Sequence, residues 1–115
     1  MYAHDKADDG RKPPTDAQVL IATGALRLLA DPTRLLLLWH LSEDELDVTA
    51  LTGLVDAARP AVSQHLAKLR LAGLVSTRRD GRHILYTARG GHVRRLVAEL
   101  LGAAEHHMTG EPDHD

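Results

Sequence analysis

Apolar residues recur at the spacing of amphipathic helices in the first third of the chain, after a polar segment. The first helix is predicted to begin at Thr15, which forms a capping-box pattern with Gln18. Its apolar face consists of Val19, Leu20, Ala22, Ala25, Leu26 and Leu29. A second helix is predicted from Asp31-Pro32, an N-cap followed by proline, to about Leu41. Because this stretch is apolar nearly all round, we expect a central, buried helix.

A short helix is predicted next, over residues 50–55, with Thr49 as its cap. Its inward positions are Leu51, Leu54 and Val55. The preceding residues 46–48 favour a short strand that pairs with a later hairpin, and residues 56–58 form a turn. This helix is therefore expected to be the first half of a helix-turn-helix.

The second half is predicted over residues 60–72, with Pro60 at the first helical position. Gly73 suits the position just after the end of such a helix. The inward stripe, at spacing i, i+4 and i+7, is Val62, Leu66 and Leu69. The other face carries the polar residues Gln64, His65 and Lys68. A short helix followed by a second helix whose exposed face is polar is typical of a helix-turn-helix, in which the second helix is the recognition helix.

A hairpin is predicted after this helix, with strands over residues 74–79 and 82–87. The two runs flank Asp80-Gly81, a strong signal for a two-residue type I′ turn. The tip and its flanks carry Arg78, Arg79 and Arg82. A recognition helix followed by an arginine-bearing hairpin predicts a winged helix-turn-helix that binds double-stranded DNA.

A last helix is predicted from about His92 to His107, after Gly90-Gly91 breaks the chain. Its broad apolar stripe consists of Val93, Leu96, Val97, Leu100, Leu101 and Ala104. The first and last helices have more apolar surface than a small winged domain needs, so we expect them to form a homodimer interface. Two-fold symmetry would then place two recognition helices about one DNA turn apart, which implies an inverted-repeat operator.

The chain is predicted to be one α+β domain that is mostly α, a winged helix-turn-helix with five helices and a two-stranded β-wing. Residues 1–14 form a disordered arm, 15–107 the DNA-binding and dimerisation domain, and 108–115 a polar tail. The absence of Cys excludes disulfides and thiolate metal sites and leaves His and carboxylates as ligands. Because no signal peptide or membrane-length apolar run is visible, we expect a cytoplasmic protein without a membrane partner.

Charge is segregated along the chain although the net charge is only −2. Residues 57–95 contain nine of the 14 Lys and Arg residues and one of the 16 acidic residues, a net +8. The rest of the chain therefore carries −10. A basic segment on an acidic chain indicates a local contact with a polyanion, and a solvated charged face is the alternative.

Several motifs resemble the ArsR/SmtB family of bacterial metal-responsive transcription factors, over about residues 17–107. They are Leu28-Leu29-Ala30-Asp31-Pro32-Thr33-Arg34, Ala61-Val62-Ser63-Gln64-His65-Leu66-Ala67-Lys68-Leu69, Gly73-Leu74-Val75 and Arg79-Asp80-Gly81-Arg82 through Tyr86. The resemblance implies a dimeric winged-helix regulator whose DNA affinity is weakened by its inducer. By position it implies major-groove contacts for Ser63, Gln64 and His65, phosphate contacts for Arg59 and Lys68, and backbone or minor-groove contacts for Arg79 and Arg82.

The nature of the inducer is indicated by which family sensing sites the chain retains. The Cys-x-Cys site of the family is absent, because Asp47 and Thr49 occupy its positions. The zinc site on the last helix lacks two ligands, since Gly90 and Ala103 stand at their positions. The pattern of the nickel- and cobalt-sensing branch is matched better. Its candidate ligands here are His92, Glu105, His106, His107 and His114, with His4, Glu111 and Asp113 as further candidates.

The spacing of two of these histidines predicts a site shared between subunits. His92 and His106 lie within about 40° on one helix face but roughly 21 Å apart along the axis. A single chain cannot place both on one ion, whereas two antiparallel copies of the helix can. Nitrogen and oxygen ligands without sulfur suit Ni(II) or Co(II), with Zn(II) as another option. His40 and His83 are expected to be structural.

Other functions compete with a metal-responsive regulator. A DNA-binding regulator of the same family could respond to a non-metal signal or to a second protein. A small metal-binding enzyme is the remote alternative, since no His-Glu-x-x-His motif or nucleophile elbow occurs. A helical interaction module without DNA binding conflicts with the charge segregation and the wing. The sequence therefore predicts a regulator and not an enzyme.

Overall fold

A computed structural model of the chain describes residues 10–110 and shows five helices and one two-stranded antiparallel sheet. The elements are α1 (Asp16–Leu29), α2 (Pro32–Glu43), α3 (Val48–Leu54), α4 (Arg59–Leu71), β1 (Val75–Asp80), β2 (His83–Ala88) and α5 (Gly90–Thr109). The predicted order of a winged helix-turn-helix is therefore confirmed. The predictions for the arm at residues 1–9 and the tail at 111–115 lie outside the described residues, as do His4, Glu111, Asp113 and His114.

Side chains start the first two helices where the sequence predicts. The backbone N–H of Gln18 donates to Thr15 Oγ1 at 3.1 Å, and the N–H of Thr15 donates to Gln18 Oε1 at 2.9 Å. Asp31 caps α2, because its carboxylate accepts from the N–H of Arg34 at 2.9 Å. Each contact satisfies a backbone donor that the first turn leaves without a partner.

The core lies where α2 crosses α4 and α5. Its fully buried side chains are Leu37, Leu38, Leu41, Leu51, Val62, Leu66, Leu69, Val75 and Val97. The expectation of a central, buried helix holds for Leu37, Leu38 and Leu41 but is wrong for Leu36 and Trp39, which are 40% and 41% exposed.

The start of α3 differs from the prediction. Asp47, not Thr49, is the N-cap, and its Oδ1 accepts from the N–H of Ala50 at 2.8 Å. The strand predicted at 46–48 is reduced to a single antiparallel bridge between Leu46 and Tyr86, with N–H to O distances of 3.1 and 2.8 Å. Because Asp47 caps α3 directly after Leu46, the chain enters the helix after a single bridge. Leu54, predicted to point inward, ends α3 and is 48% exposed.

The recognition helix α4 begins one residue before the predicted Pro60 and ends at Leu71, one residue before the predicted end, with Gly73 just beyond its C-cap as predicted. Gly73 has φ +80°, a conformation that L residues with side chains adopt rarely. Its N–H donates to Arg70 O, while the N–H of Leu74 donates to Leu69 O, which is a Schellman motif. This ending directs the chain immediately into β1.

The wing pairs one residue later than the sequence suggested. Asp80 pairs with His83, so the two loop residues are Gly81 and Arg82. Gly81 has φ +65° and Arg82 does not have a positive φ. A type I′ turn needs positive φ at both positions, whereas glycine at the first position with this pattern fits type II′. The predicted type I′ turn at Asp80-Gly81 is therefore wrong, although a two-residue hairpin is confirmed.

The last helix is longer than predicted. It begins at Gly90 instead of His92 and ends at Thr109, where Gly110 takes a left-handed conformation. Gly90-Gly91 therefore form its first turn and do not break the chain. Val97 is fully buried against the core, which fixes one side of α5 on α2.

Candidate DNA-reading surface and metal site

The polar face of α4 is free for contact with DNA. Ser63, Gln64 and Lys68 are exposed, while Val62, Leu66 and Leu69 on the opposite side are fully buried. The buried stripe therefore holds the helix so that these three polar side chains project outward together. Hydroxyl, amide and ammonium groups can bond to base edges and phosphates.

Arg59 stands at the first turn of α4 and is braced from α3. Its guanidinium donates to Thr49 Oγ1 at 2.8 Å, and the residue is exposed. This contact joins the two helices of the helix-turn-helix by their side chains. It holds a cation beside the start of the recognition helix, as the predicted phosphate contact requires.

The wing is attached to the loop between α2 and α3 by two side-chain contacts. Arg78 donates to both carboxylate oxygens of Glu45, each at 2.7 Å. This pairing lowers the pKa of Glu45 and raises that of Arg78. His83 Nδ1 lies 2.8 Å from Asp47 Oδ2. The pKa of Asp47 is lowered, first by the N–H of Ala50 and then by His83.

The arginines of the wing therefore differ in the charge they can offer to DNA. Arg79 and Arg82 are exposed near the tip, as the predicted backbone contact requires. Arg78 is neutralised by Glu45 and positions the strand. The pairing of His83 with Asp47 agrees with the structural role expected for this histidine.

His65 lies in a different environment from its neighbours on α4. Its side chain is only 21% exposed and its Nδ1 lies 3.1 Å from a guanidinium nitrogen of Arg34. Its Nε2 lies 4.0 Å from Asp31 Oδ2. The expectation that His65 shares the free face with Gln64 and Lys68 is therefore corrected, because the ring packs against the start of α2.

Sequence reasoning missed the role of Arg34 although it lies in one of the quoted motifs. Besides contacting His65, Arg34 donates through Nε to the carbonyl of Leu28 at 2.6 Å. The signal that could have found it is an arginine three residues after a capping aspartate, close to the end of the previous helix. Spacing alone does not reveal a partner 31 residues away.

The predicted metal ligands on α5 are separated in one subunit. His92 is exposed at the first turn, with its Nδ1 3.2 Å from a guanidinium nitrogen of Arg95. Glu105 and His107 are exposed near the other end, and His106 is half-buried. Within residues 10–110 no three His, Asp or Glu side chains are grouped as a metal site. The described part of one chain therefore does not bring these ligands together.

Both terminal helices have large exposed apolar side chains. They are Val19, Leu20, Ile21 and Leu26 on α1 and Leu96, Leu100 and Met108 on α5, with exposed fractions from 38% to 81%. Such an extended apolar surface is unusual for a protein that stays monomeric. Across residues 10–110, none of the helices combines the length and apolar character needed to cross a membrane.

Comparisons with known proteins agree with this architecture. Residues 31–77 match the arsR family of bacterial regulatory proteins. The HTH-type transcriptional regulator KmtR of Mycobacterium tuberculosis is 47% identical over 108 residues, which cover 94% of this chain and 83% of KmtR. NmtR of the same organism is 37% identical over 101 residues, which cover 87% of this chain and 84% of NmtR.

Among solved structures, the homodimeric winged helix-turn-helix DNA-binding domain Mb0332 from Mycobacterium bovis superposes with a TM-score of 0.77. It is 27% identical, and the match covers 94% of this chain and all of that domain. The predicted winged-helix fold is thereby confirmed. The chain belongs to the arsR family of bacterial regulatory proteins and is a transcriptional regulator, not an enzyme.

Proposed function

We propose that the protein is a homodimer that binds an inverted-repeat operator and changes its operator affinity when Ni(II) or Co(II) binds between the two α5 helices. Zn(II) is the less favoured ion. The observation that carries the proposal is the arrangement of α5. It has His92 at one end, Glu105 and His106 at the other, and the exposed side chains of Leu96 and Leu100 between them.

The DNA part of the proposal uses the free face of α4 and the tip of the wing. Gln64 can bond adenine through two hydrogen bonds, and Ser63 can reach a base or a phosphate. Lys68 is a phosphate contact on the same face, and Arg59 is one at its start. Arg79 and Arg82 extend the cationic surface to the flanking backbone.

The metal part needs both subunits. If the exposed apolar sides of two α5 helices pack antiparallel, His92 of one subunit approaches Glu105 and His106 of its partner. Imidazole and carboxylate donors suit Ni(II), Co(II) and Zn(II), and additional ligands favour the six-coordinate ions Ni(II) and Co(II). His107, with His114 from the tail, is the proposed source of such ligands.

The metal would act on DNA binding by fixing how the two subunits meet. A metal that links the α5 helices selects one angle between the two recognition helices, and the operator selects its own. Operator and metal must affect each other's affinity by the same factor. Following the family resemblance, we expect the metal-bound angle to fit the operator less well, so metal releases DNA.

The test is an anisotropy titration of the protein with the intergenic DNA upstream of its own gene, at several concentrations of Ni(II), Co(II) and Zn(II). We expect a roughly tenfold loss of affinity with Ni(II) or Co(II), within the usual range of coupling. His92→Ala should bind DNA normally and lose the metal response. Asp44→Asn, an exposed change in the loop after α2, should keep both. Unchanged affinity of the wild-type protein at all metal concentrations would remove the sensor role.

A regulator that responds to a non-metal signal is the second candidate. A cavity of about 250 Å³ between α2 and α5 favours it. Its lining includes Trp39, Ser42, Glu43, Arg94 and Arg95, which together offer an aromatic face and charges of both signs. Equilibrium dialysis at micromolar metal separates the two candidates, because this one predicts no metal uptake while operator binding persists.

A further inference from the structure

One arginine connects three separate parts of the subunit. Arg34 donates from Nε to the carbonyl of Leu28 in the last turn of α1, at 2.6 Å. Its backbone N–H donates to Asp31, the cap of α2, at 2.9 Å. Its guanidinium also lies 3.1 Å from Nδ1 of His65, near the middle of α4. The recognition helix is thereby joined to the corner between α1 and α2.

The chemistry of this contact defines the state of the His65 ring. A guanidinium can only donate hydrogen bonds, so Nδ1 of His65 must accept and carry no proton. The ring proton of the neutral form then lies on Nε2, which faces Asp31 Oδ2 at 4.0 Å. The N–H of Arg34 is the main cause of the lowered pKa of Asp31, which keeps that carboxylate charged opposite the ring. Both ring nitrogens of His65 are thus directed at residues of their own subunit.

We infer that His65 is a positioning residue, which accepts a hydrogen bond from Arg34 and so fixes α4 against the α1–α2 corner, and that it does not read a base. The inference deepens the proposed function, because it rests on the DNA-reading role of Ser63 and Gln64 on the same helix. The same contact also connects the proposed dimer interface on α1 with the recognition helix α4. A shift of α1 at the subunit interface displaces the carbonyl that holds Arg34, and Arg34 contacts α4 directly.

A double-mutant cycle on operator affinity tests the inference. His65→Leu removes the acceptor, and Arg34→Gln removes the guanidinium. We expect each to weaken operator binding roughly tenfold, and the double variant to be no weaker than Arg34→Gln, which by itself loses both the contact to His65 and the donation to the carbonyl of Leu28. His65→Asn places an amide oxygen near the position of Nδ1 and should restore most of the affinity.

A base-reading role gives the opposite pattern. The losses from the two sites would then multiply, and His65→Asn would change which operator base is preferred without restoring affinity. Either result would overturn the inference. Gln64→Ala is the matched control on the adjacent position, and its loss should multiply with that of Arg34→Gln. Circular dichroism and size exclusion on each variant show whether it folds and dimerises.

A second measurement needs no DNA and so separates this inference from the proposed function. In the wild-type protein, the ¹⁵N shifts of His65 should show a proton on Nε2 and none on Nδ1. His65→Leu should speed amide hydrogen exchange in α4, while His65→Asn should not. A ring protonated on Nδ1, or equal exchange in all three proteins, contradicts the contact even if the protein binds no operator.

Discussion

The candidate DNA-reading part of the chain and its terminal helices differ in how many contacts hold their exposed side chains in place. The DNA-reading part consists of α3, α4 and the wing, and hydrogen bonds at its helix ends and wing hold these elements together. Asp47 caps α3, the Schellman motif at Gly73 ends α4, and Arg78 and His83 attach the wing to the neighbouring loop. Each of these contacts joins residues of α3, α4, the wing or the adjoining loop, and none of them involves α1 or α5.

The terminal helices are incomplete in one subunit. Most of the large apolar side chains on α1 are at least 46% exposed, although Leu29 at its end is buried. His92 and His106 stand at opposite ends of α5 on one continuous helix. A surface and a ligand set that both lack their other half are explained together by a second copy of the chain. Under the proposed function, DNA reading therefore belongs to the single subunit and regulation to the pair.

The largest effect is expected when the proposed dimer interface is removed. Leu20→Gln with Leu100→Gln places four amides in the proposed interface and should yield a monomer, since each burial of a leucine contributes roughly 1.5–3 kcal/mol. Operator affinity should fall roughly a hundredfold, because the second half-site no longer binds intramolecularly. Sedimentation and anisotropy measure the two effects. Leu71→Gln, at a 91% exposed leucine on α4, should remain dimeric. A dimeric double variant would refute the interface.

The wing offers a sharper test at the level of single charges. Arg79→Ala or Arg82→Ala should lower affinity roughly tenfold and reduce the slope of log K against log salt by about one per protomer. Arg78→Ala should change the slope much less, because Glu45 already neutralises that guanidinium. Operator titrations at several salt concentrations give the slopes. Equal slopes for all three variants would mean that Arg78 leaves Glu45 to bind DNA.

The sequence predicts those elements whose signals are local. The capping box at Thr15, the Asp31-Pro32 start and the αL glycine at Gly73 each act within a few residues, and all three are confirmed. The start of α3 and the wing turn were missed by one or two residues. Two neighbouring candidates competed in each case, Asp47 with Thr49 and Asp80-Gly81 with Gly81-Arg82.

The candidate site is predicted less completely, because its contacts cross the fold. The outward direction of Ser63 and Gln64 follows from helix periodicity, and so does the separation of His92 from His106. The inward turn of His65 does not, since it depends on Arg34 approaching from α2. Periodicity reports which face a residue occupies. It does not report whether another element covers the edge of that face.

Alanine substitutions at two glycines, one in each region, should change the free energy of unfolding in opposite directions. Gly73→Ala puts a side chain at φ +80° and should destabilise the protein by about 1 kcal/mol or more. Gly102→Ala lies inside α5, where an added Cβ has no neighbour within 4 Å, and should stabilise it by about 0.5–1 kcal/mol. Denaturant unfolding measures both. A loss of stability in Gly102→Ala would show that the partner subunit covers that position.

The smallest expected effect is a pH dependence of the folding stability that arises from Asp47 in the DNA-reading part. The pKa of Asp47 is lowered below its ordinary 3.8 by the N–H of Ala50 and by His83, so the folded state binds its proton less readily than the unfolded state. The stability from this carboxylate is therefore present above pH 3.8 and is lost as the pH falls through the folded-state pKa. Asp47→Asn keeps a capping side chain but cannot ionise. In urea unfolding, its deficit relative to the wild type should shrink between about pH 6 and about pH 3. A constant deficit for Asp47→Asn would mean that its charge contributes nothing to holding α3 and the wing together.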